Sequence, residues 1–180
     1  MLGTWVPNGL VAGCESLFVP YAREHAGVLL ASAALGMLVG DTVVGRFVPL
    51  RWRAALPVPL LVLLAAPYLL FALEPPPLPA AVAAGVASVG FGSTLLLLDR
   101  LVLRTPVDLS GQALGLQSAG MLTMQGVGAA LAGSVAQLTT PVTAIAAMAG
   151  ASLVGTAVLA MQFRRDRPEV TGACARGAAA

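Results

Sequence analysis

Six side chains that could do chemistry stand inside long apolar runs of this 180-residue chain: Asn8, Glu15, Gln117, Ser118, Met121 and Gln125. A polar group in hydrocarbon costs free energy, so such residues turn toward the protein interior or a water-filled cavity. Glu15 is the most demanding of them. It lies about one helical turn from the middle of its run, where an ionised carboxylate is expensive, so it must be protonated, paired or exposed to water in a pathway; proton relays use all three states. Arg23, eight residues on, is ~12 Å away along the same helix axis and does not reach it. At ~100° per residue, Thr4, Asn8 and Glu15 share one face of the first run. Near residue 120 the same spacing groups Gln117, Ser118, Met121, Met124, Gln125 and Gly128 on one side, and Gly115, Ala119, Leu122, Gly126, Ala129 and Gly133 on another. The small side is expected to meet a neighbouring helix. The amide and thioether side suits an adaptable solute cavity, and Ser118 and Gln125 serve equally well as interhelical hydrogen-bonding groups.

The elements that must position these residues follow from composition. Hydrophobic residues make up 58% of the chain and charged residues 10%, with a mean hydropathy of +0.88. A water-soluble domain needs far more polar surface than this. A bilayer core of ~30 Å takes about 20 helical residues, which divides the chain into six apolar runs at about 2–21, 26–44, 54–73, 80–98, 113–138 and 142–163. The expected fold class is an all-α membrane protein, a six-span bundle over 1–168 with a disordered cytoplasmic tail at 169–180. Pro67 is expected to kink the third run, Pro75–Pro79 to form a tight turn, and Ser110 to cap the fifth helix after a charged break from Asp99 to Gln112. The first run lacks the basic start of a cleavable signal peptide.

Orientation rests on arginine, because the chain has no lysine. Nine arginines (46, 51, 53, 100, 104, 164, 165, 167 and 176) fall on one side of the runs, and only Arg23 on the other. The positive-inside bias predicts a multi-pass protein of the plasma (inner) membrane with both termini in the cytoplasm. Within the bundle, Gly9 and Gly13, Gly36 and Gly40, and Gly111 and Gly115 stand in helical register and are expected to let backbones approach.

Other function classes have little support in the residues. Basic residues are not interleaved with aromatics, so no nucleic-acid surface is expected. Cys14 and Cys174 have no metal-ligand neighbours and His25 is the only histidine, so neither a metal site nor a cofactor is expected. An intramembrane serine protease would want Gly-x-Ser-x-Gly, whereas Ser88 stands between Gly85 and Gly90 at the wrong spacing. An aspartyl enzyme would want two carboxylates within the bilayer, and Asp41 and Asp99 fall at helix ends among arginines. No enzymatic activity is expected.

The stretch from Gly36 to Arg53, GMLVGDTVVGRFVPLRWR, is a bilayer exit followed by an arginine-rich turn. Gly36, Asp41, Gly45 and Arg46, with Arg51 beyond, resemble the cytoplasmic loop motif of the major facilitator superfamily, in which a glycine and an aspartate precede glycine-arginine and further basic residues. Asp41 follows Gly36 by five residues rather than four, Thr42 takes the usual basic position, and one extra residue precedes Gly45. Those departures suit the degenerate second copy of the motif. The resemblance, closest to actinobacterial members, implies the carboxyl-terminal six-helix half of a twelve-helix transporter. It implies secondary active transport of a small solute, with proton-coupled efflux as the expected direction, and a partner that is either an amino-terminal six-helix half or a second copy of the chain. The alternative expectation is a non-transporting membrane subunit or an inactive transporter fragment.

Overall fold

The computed structural model describes residues 2–53 and 55–165, excepting the side chains of 2–4, 50 and 162–165. The tail expected at 169–180, with Arg167, Cys174 and Arg176, lies outside the described residues. The described chain is almost wholly helical and contains no strand.

Six helical segments follow one another. The first is α1 (Leu2–Ser16) and α2 (Phe18–Tyr21), and the second is α3 (Ala26–Thr42), which widens into a π turn over Val43–Phe47. A short helix, α4 (Leu50–Arg53), occupies the arginine-rich stretch. The third segment is α5 (Pro57–Ala65) continued as a 3₁₀ helix over Ala66–Leu73. The fourth joins α6 (Pro77–Val89) to α7 (Ser93–Arg104) through a 3₁₀ turn at Gly90–Gly92. The fifth is α8 (Ser110–Leu138) and the sixth α9 (Pro141–Arg165).

Four of these are long and apolar enough to cross a membrane: Ala26–Phe47, Pro77–Arg104, Val107–Leu138 and Pro141–Met161. The other two depart from the continuous spans expected of them. The first is interrupted at Leu17, whose amide reaches back three residues to the Cys14 carbonyl (3.1 Å). The third is only Pro57–Leu73, and its change of pitch is the work of Pro67, which has no N–H to give to Leu63. The chain meets that loss by tightening into 3₁₀ geometry at Ala66 rather than by a simple kink. Nine α-helical and eight 3₁₀ residues, at ~1.5 and ~2.0 Å rise, still give the segment a length of ~30 Å.

The charged break expected from Asp99 to Gln112 is also shorter. Helix α7 runs through Asp99 and Arg100 to Arg104. Ser110 does not cap α8: its hydroxyl donates back to the Val107 carbonyl (2.6 Å), and Leu109 stands at the cap position.

Backbone contact sets the packing. A Cβ on Gly36 would strike the Gly85 carbonyl and one on Gly40 the Val89 carbonyl, so α3 and α6 run side by side in the same direction. The first segment meets α8 the same way, Gly9 against Met124 and Gly13 against Gly128. The glycine expectation therefore holds for those two pairs and fails for Gly111 and Gly115, around which nothing lies within 4 Å. The third segment packs on the sixth, and the first and sixth touch as the third and fourth do. Exchanging segments one to three with four to six maps these pairings onto one another, with every direction reversed. That is the pattern of an inverted repeat for these pairings, although the contact of the fifth segment with the sixth has no counterpart of similar extent between the second and third.

Candidate functional site

The first segment places polar side chains at three levels. Nearest its start, Trp5 Nε1 donates to Gln117 Oε1 across to α8 (2.8 Å). One turn on, the Asn8 Oδ1 atom accepts from Gln125 Nε2 (3.3 Å), with Asn8 only 3% exposed. Two turns further, Glu15 Oε1 accepts two hydroxyls, Tyr68 (3.2 Å) from the third segment and Ser88 (3.4 Å) from α6. Tyr68 and Ser88 are fully buried. The carboxylate is thus held by neutral donors, and no ion pair reaches it among the described residues. Beside it, the buried Cys14 thiol donates to the Leu10 and Ile145 carbonyls (both 3.6 Å), which ties the first segment to α9.

Between the Asn8 and Gln117 levels lies a small cleft of about 10 Å³, lined by Asn8, Ser93, Thr94, Gln117, Met121 and two leucines. It has room for about one water molecule. The Ser93 hydroxyl, buried in its wall, is the one buried side-chain polar atom without a partner among the described residues. Three of the predicted residues, Asn8, Gln117 and Met121, therefore meet in one place, and Gln125 joins them through Asn8.

Two expectations for α8 reverse. The amide and thioether side is the helix-contact side: Gln117 and Gly128 are buried against the first segment, with Met121, Met124 and Gln125 half-buried beside them. The side with Gly115, Ala119, Leu122 and Gly126 is exposed, and nothing lies near Gly115, Gly126 or Gly133. Ser118 falls on the exposed side and does not join the cluster. This side has small residues of its own, Gly128 and Ala132, which meet Gly9 and Gly13 and bring the backbones close enough for side chains to bond across them.

At the same end of the bundle as Trp5 and Gln117, the loop-motif residues separate. Gly36 is buried against Gly85, while Asp41, Gly45, Arg46 and Arg51 are exposed. Asp41 and Arg46 make no ion pair among the described residues. The pair that forms is Arg53 with Asp99 (2.6 Å), strengthened by Arg53 donating to the Val48 and Gly45 carbonyls (3.3 and 3.4 Å), while Arg100 donates to the Arg53 carbonyl (3.4 Å). Asp99 and Arg53 lie 46 residues apart, so spacing alone does not join them.

Trp5, Tyr68 and Ser93 are not singled out by the sequence, and Ser88 enters there only as the serine of a protease-like motif at the wrong spacing. A tyrosine in mid-run is a usable signal, since tyrosine favours the membrane interface over the hydrocarbon. A lone serine in an alanine-rich run carries none. Comparison with family models, curated proteins and solved structures returned no match.

Proposed function

We propose that the chain is a membrane transporter unit whose six helical segments all cross the bilayer, moving a small solute with Glu15 as the proton-exchanging group. The observation that carries the reading is the carboxylate itself, held about one helical turn from the middle of its apolar segment by two hydroxyls, with no ion pair among the described residues. A purely structural carboxylate at that depth would be expected to keep a permanent counter-charge. Hydroxyl partners tolerate both the protonated and the ionised acid, which suits a group that loads and unloads a proton. The inverted pairing of the segments and the ~30 Å reach of the third support an alternating-access unit. So does the line of neutral polar groups from Trp5 to Ser93, which leads away from Glu15 toward the arginine-rich end.

In this reading the arginine-rich end faces the cytoplasm of the plasma membrane, both termini included. The cleft at Asn8 and Gln117 is far too small for a solute, and the open face of α8 has no neighbour among the described residues. The solute path is therefore completed by a second six-helix unit, either an amino-terminal half in the manner of the major facilitator superfamily or another copy of the chain. Direction, on the same likeness, is efflux.

The test uses everted vesicles containing the chain, energised to an acid-inside gradient that an acridine dye reports. Solutes from a panel of small metabolites and drugs are added in turn. A solute that collapses the gradient with the wild-type chain and not with Glu15→Gln, at equal membrane insertion, is the expected result. Collapse that is unchanged in Glu15→Gln would remove Glu15 from the mechanism, and the absence of any active solute would count against transport.

A further inference from the structure

A second cavity lies away from the polar line, at the end of the bundle opposite the arginine-rich turn. It measures about 370 Å³ and is walled by the end of the first segment, the turn after the third and the start of the sixth. A volume in the range of small-molecule sites, ~300–1,000 Å³, sets it apart from the one-water cleft near Asn8.

Its walls are rigid for reasons that can be named. Pro20, Pro75 and Pro141 line it, and each fixes its own φ. The Tyr21 hydroxyl donates to the Pro75 carbonyl (3.3 Å), joining the first segment to the turn. The Tyr21 ring in turn packs against Phe71, at 5.2 Å between centroids and a tilt of 57°, which holds the ring in one orientation at the cavity wall.

Glu74 supplies the charge. It is the only charged residue in the lining, and it makes no ion pair among the described residues. Its backbone is left-handed, φ 49° and ψ 54°, at the end of the 3₁₀ helix. It is the one described residue other than glycine with positive φ. Glycine or asparagine is the ordinary occupant of such a position, so a glutamate there places a carboxylate at the cavity rim at some conformational cost.

We propose that this cavity binds a small organic ammonium cation with a hydrocarbon body. The carboxylate of Glu74 neutralises the charge, the face of Tyr21 attracts the cation through its ring quadrupole, and the prolines and Leu29 take the hydrocarbon. An anion would be repelled by Glu74, the one charged residue of the lining. A metal ion would find a single carboxylate, with no cluster of three metal-ligating side chains among the described residues. The proposal does not depend on Glu15 or on transport.

The test measures binding of tritiated benzyltrimethylammonium to the full chain in lipid nanodiscs, with empty nanodiscs as the blank. Saturable binding is expected, weakened by added salt. Glu74→Asn removes the charge with a residue that accepts the left-handed backbone, and should weaken binding about fivefold or more. Glu74→Asp should retain it. Tyr21→Phe keeps the ring and should bind within about threefold of wild type, whereas Tyr21→Leu should lose about tenfold. Glu15→Gln should bind as wild type does, which separates this site from the proton-exchanging group. Binding no greater than to empty nanodiscs, a folded Glu74→Asn protein that binds as tightly as wild type, or stronger binding of benzenesulfonate than of the cation would each overturn the proposal.

Discussion

Gly13→Ala should open the seam between the first segment and α8. A Cβ at residue 13 would lie 2.6 Å from the Gly128 carbonyl oxygen and 3.2 Å from the Ala132 Cβ, where ordinary contact begins at 3.4 Å. Both obstacles sit on a long continuous helix, so the first segment has to withdraw by the difference, 0.8 Å. Carried along the segment, that shift takes the bond between Gln125 and Asn8 from 3.3 Å to about 4.1 Å and the one between Trp5 and Gln117 from 2.8 Å to about 3.6 Å, beyond useful hydrogen-bond length. Overpacking of this kind costs ~1–3 kcal/mol, and each interhelical hydrogen bond lost in a membrane protein adds ~0.6 kcal/mol, so the expected loss is ~2–4 kcal/mol. The assay is unfolding in mixed micelles by titration with sodium dodecyl sulfate, followed by far-ultraviolet circular dichroism and by tryptophan fluorescence. Gly126→Ala is the matched control: nothing lies within 4 Å of that position, and the exchange should be neutral or stabilising by up to ~1 kcal/mol from helix propensity. A Gly13→Ala protein as stable as wild type, or a Gly126→Ala protein equally weakened, would show that this seam is not closely packed.

Three further outcomes follow from the polar groups. Ser93→Ala removes a buried hydroxyl that no protein group satisfies and should raise stability by ~1 kcal/mol in the same unfolding titration; a loss of that size would mean that the hydroxyl is satisfied in the membrane. Asp99→Asn breaks an ion pair whose members are 30% and 51% exposed, so it should cost no more than ~1 kcal/mol and lose that effect in high salt. Arg53→Gln should cost more than Asp99→Asn, because Arg53 also donates to the Val48 and Gly45 carbonyls, and equal losses would count against those bonds.

Much of the helical layout is legible in the residues. Apolar runs of bilayer length mark the second, fourth, fifth and sixth segments to within a few residues, except where charge misleads. Asp99, Arg100 and Arg104 look like a loop because they are polar, yet α7 carries them as helix; a helix end leaving the apolar core has no reason to unwind at its first charge. Proline at 67 announced a disturbance, and the backbone answered it by changing helix type. The glycine pairs of the first and second runs were read correctly as close-contact points, since spacing by four puts both on one face.

Which face of α8 is covered could not be read from the sequence. In water, the apolar side of a helix identifies the buried one. In lipid that signal vanishes, because leucine is as comfortable against acyl chains as against protein. The small-residue side of α8 is the one its composition assigns to helix contact, yet the amide side is covered, where Gly9 and Gly13 of a helix more than a hundred residues away meet Met124 and Gly128. Glu15 shows the same division. Its type and position alone made it the residue most in need of explanation, but its partners, Tyr68 and Ser88, are 53 and 73 residues distant and reach it only once the third and fourth segments pack beside the first. By itself the sequence determined that the chain is a bundle of apolar helices, with arginines at one end and an expensive carboxylate in the middle, because hydropathy and charge are properties of the residues. Tertiary structure alone decided what the carboxylate touches, which side of α8 lies open, and that Asp99 rather than Asp41 takes an arginine, because each depends on which helices lie side by side.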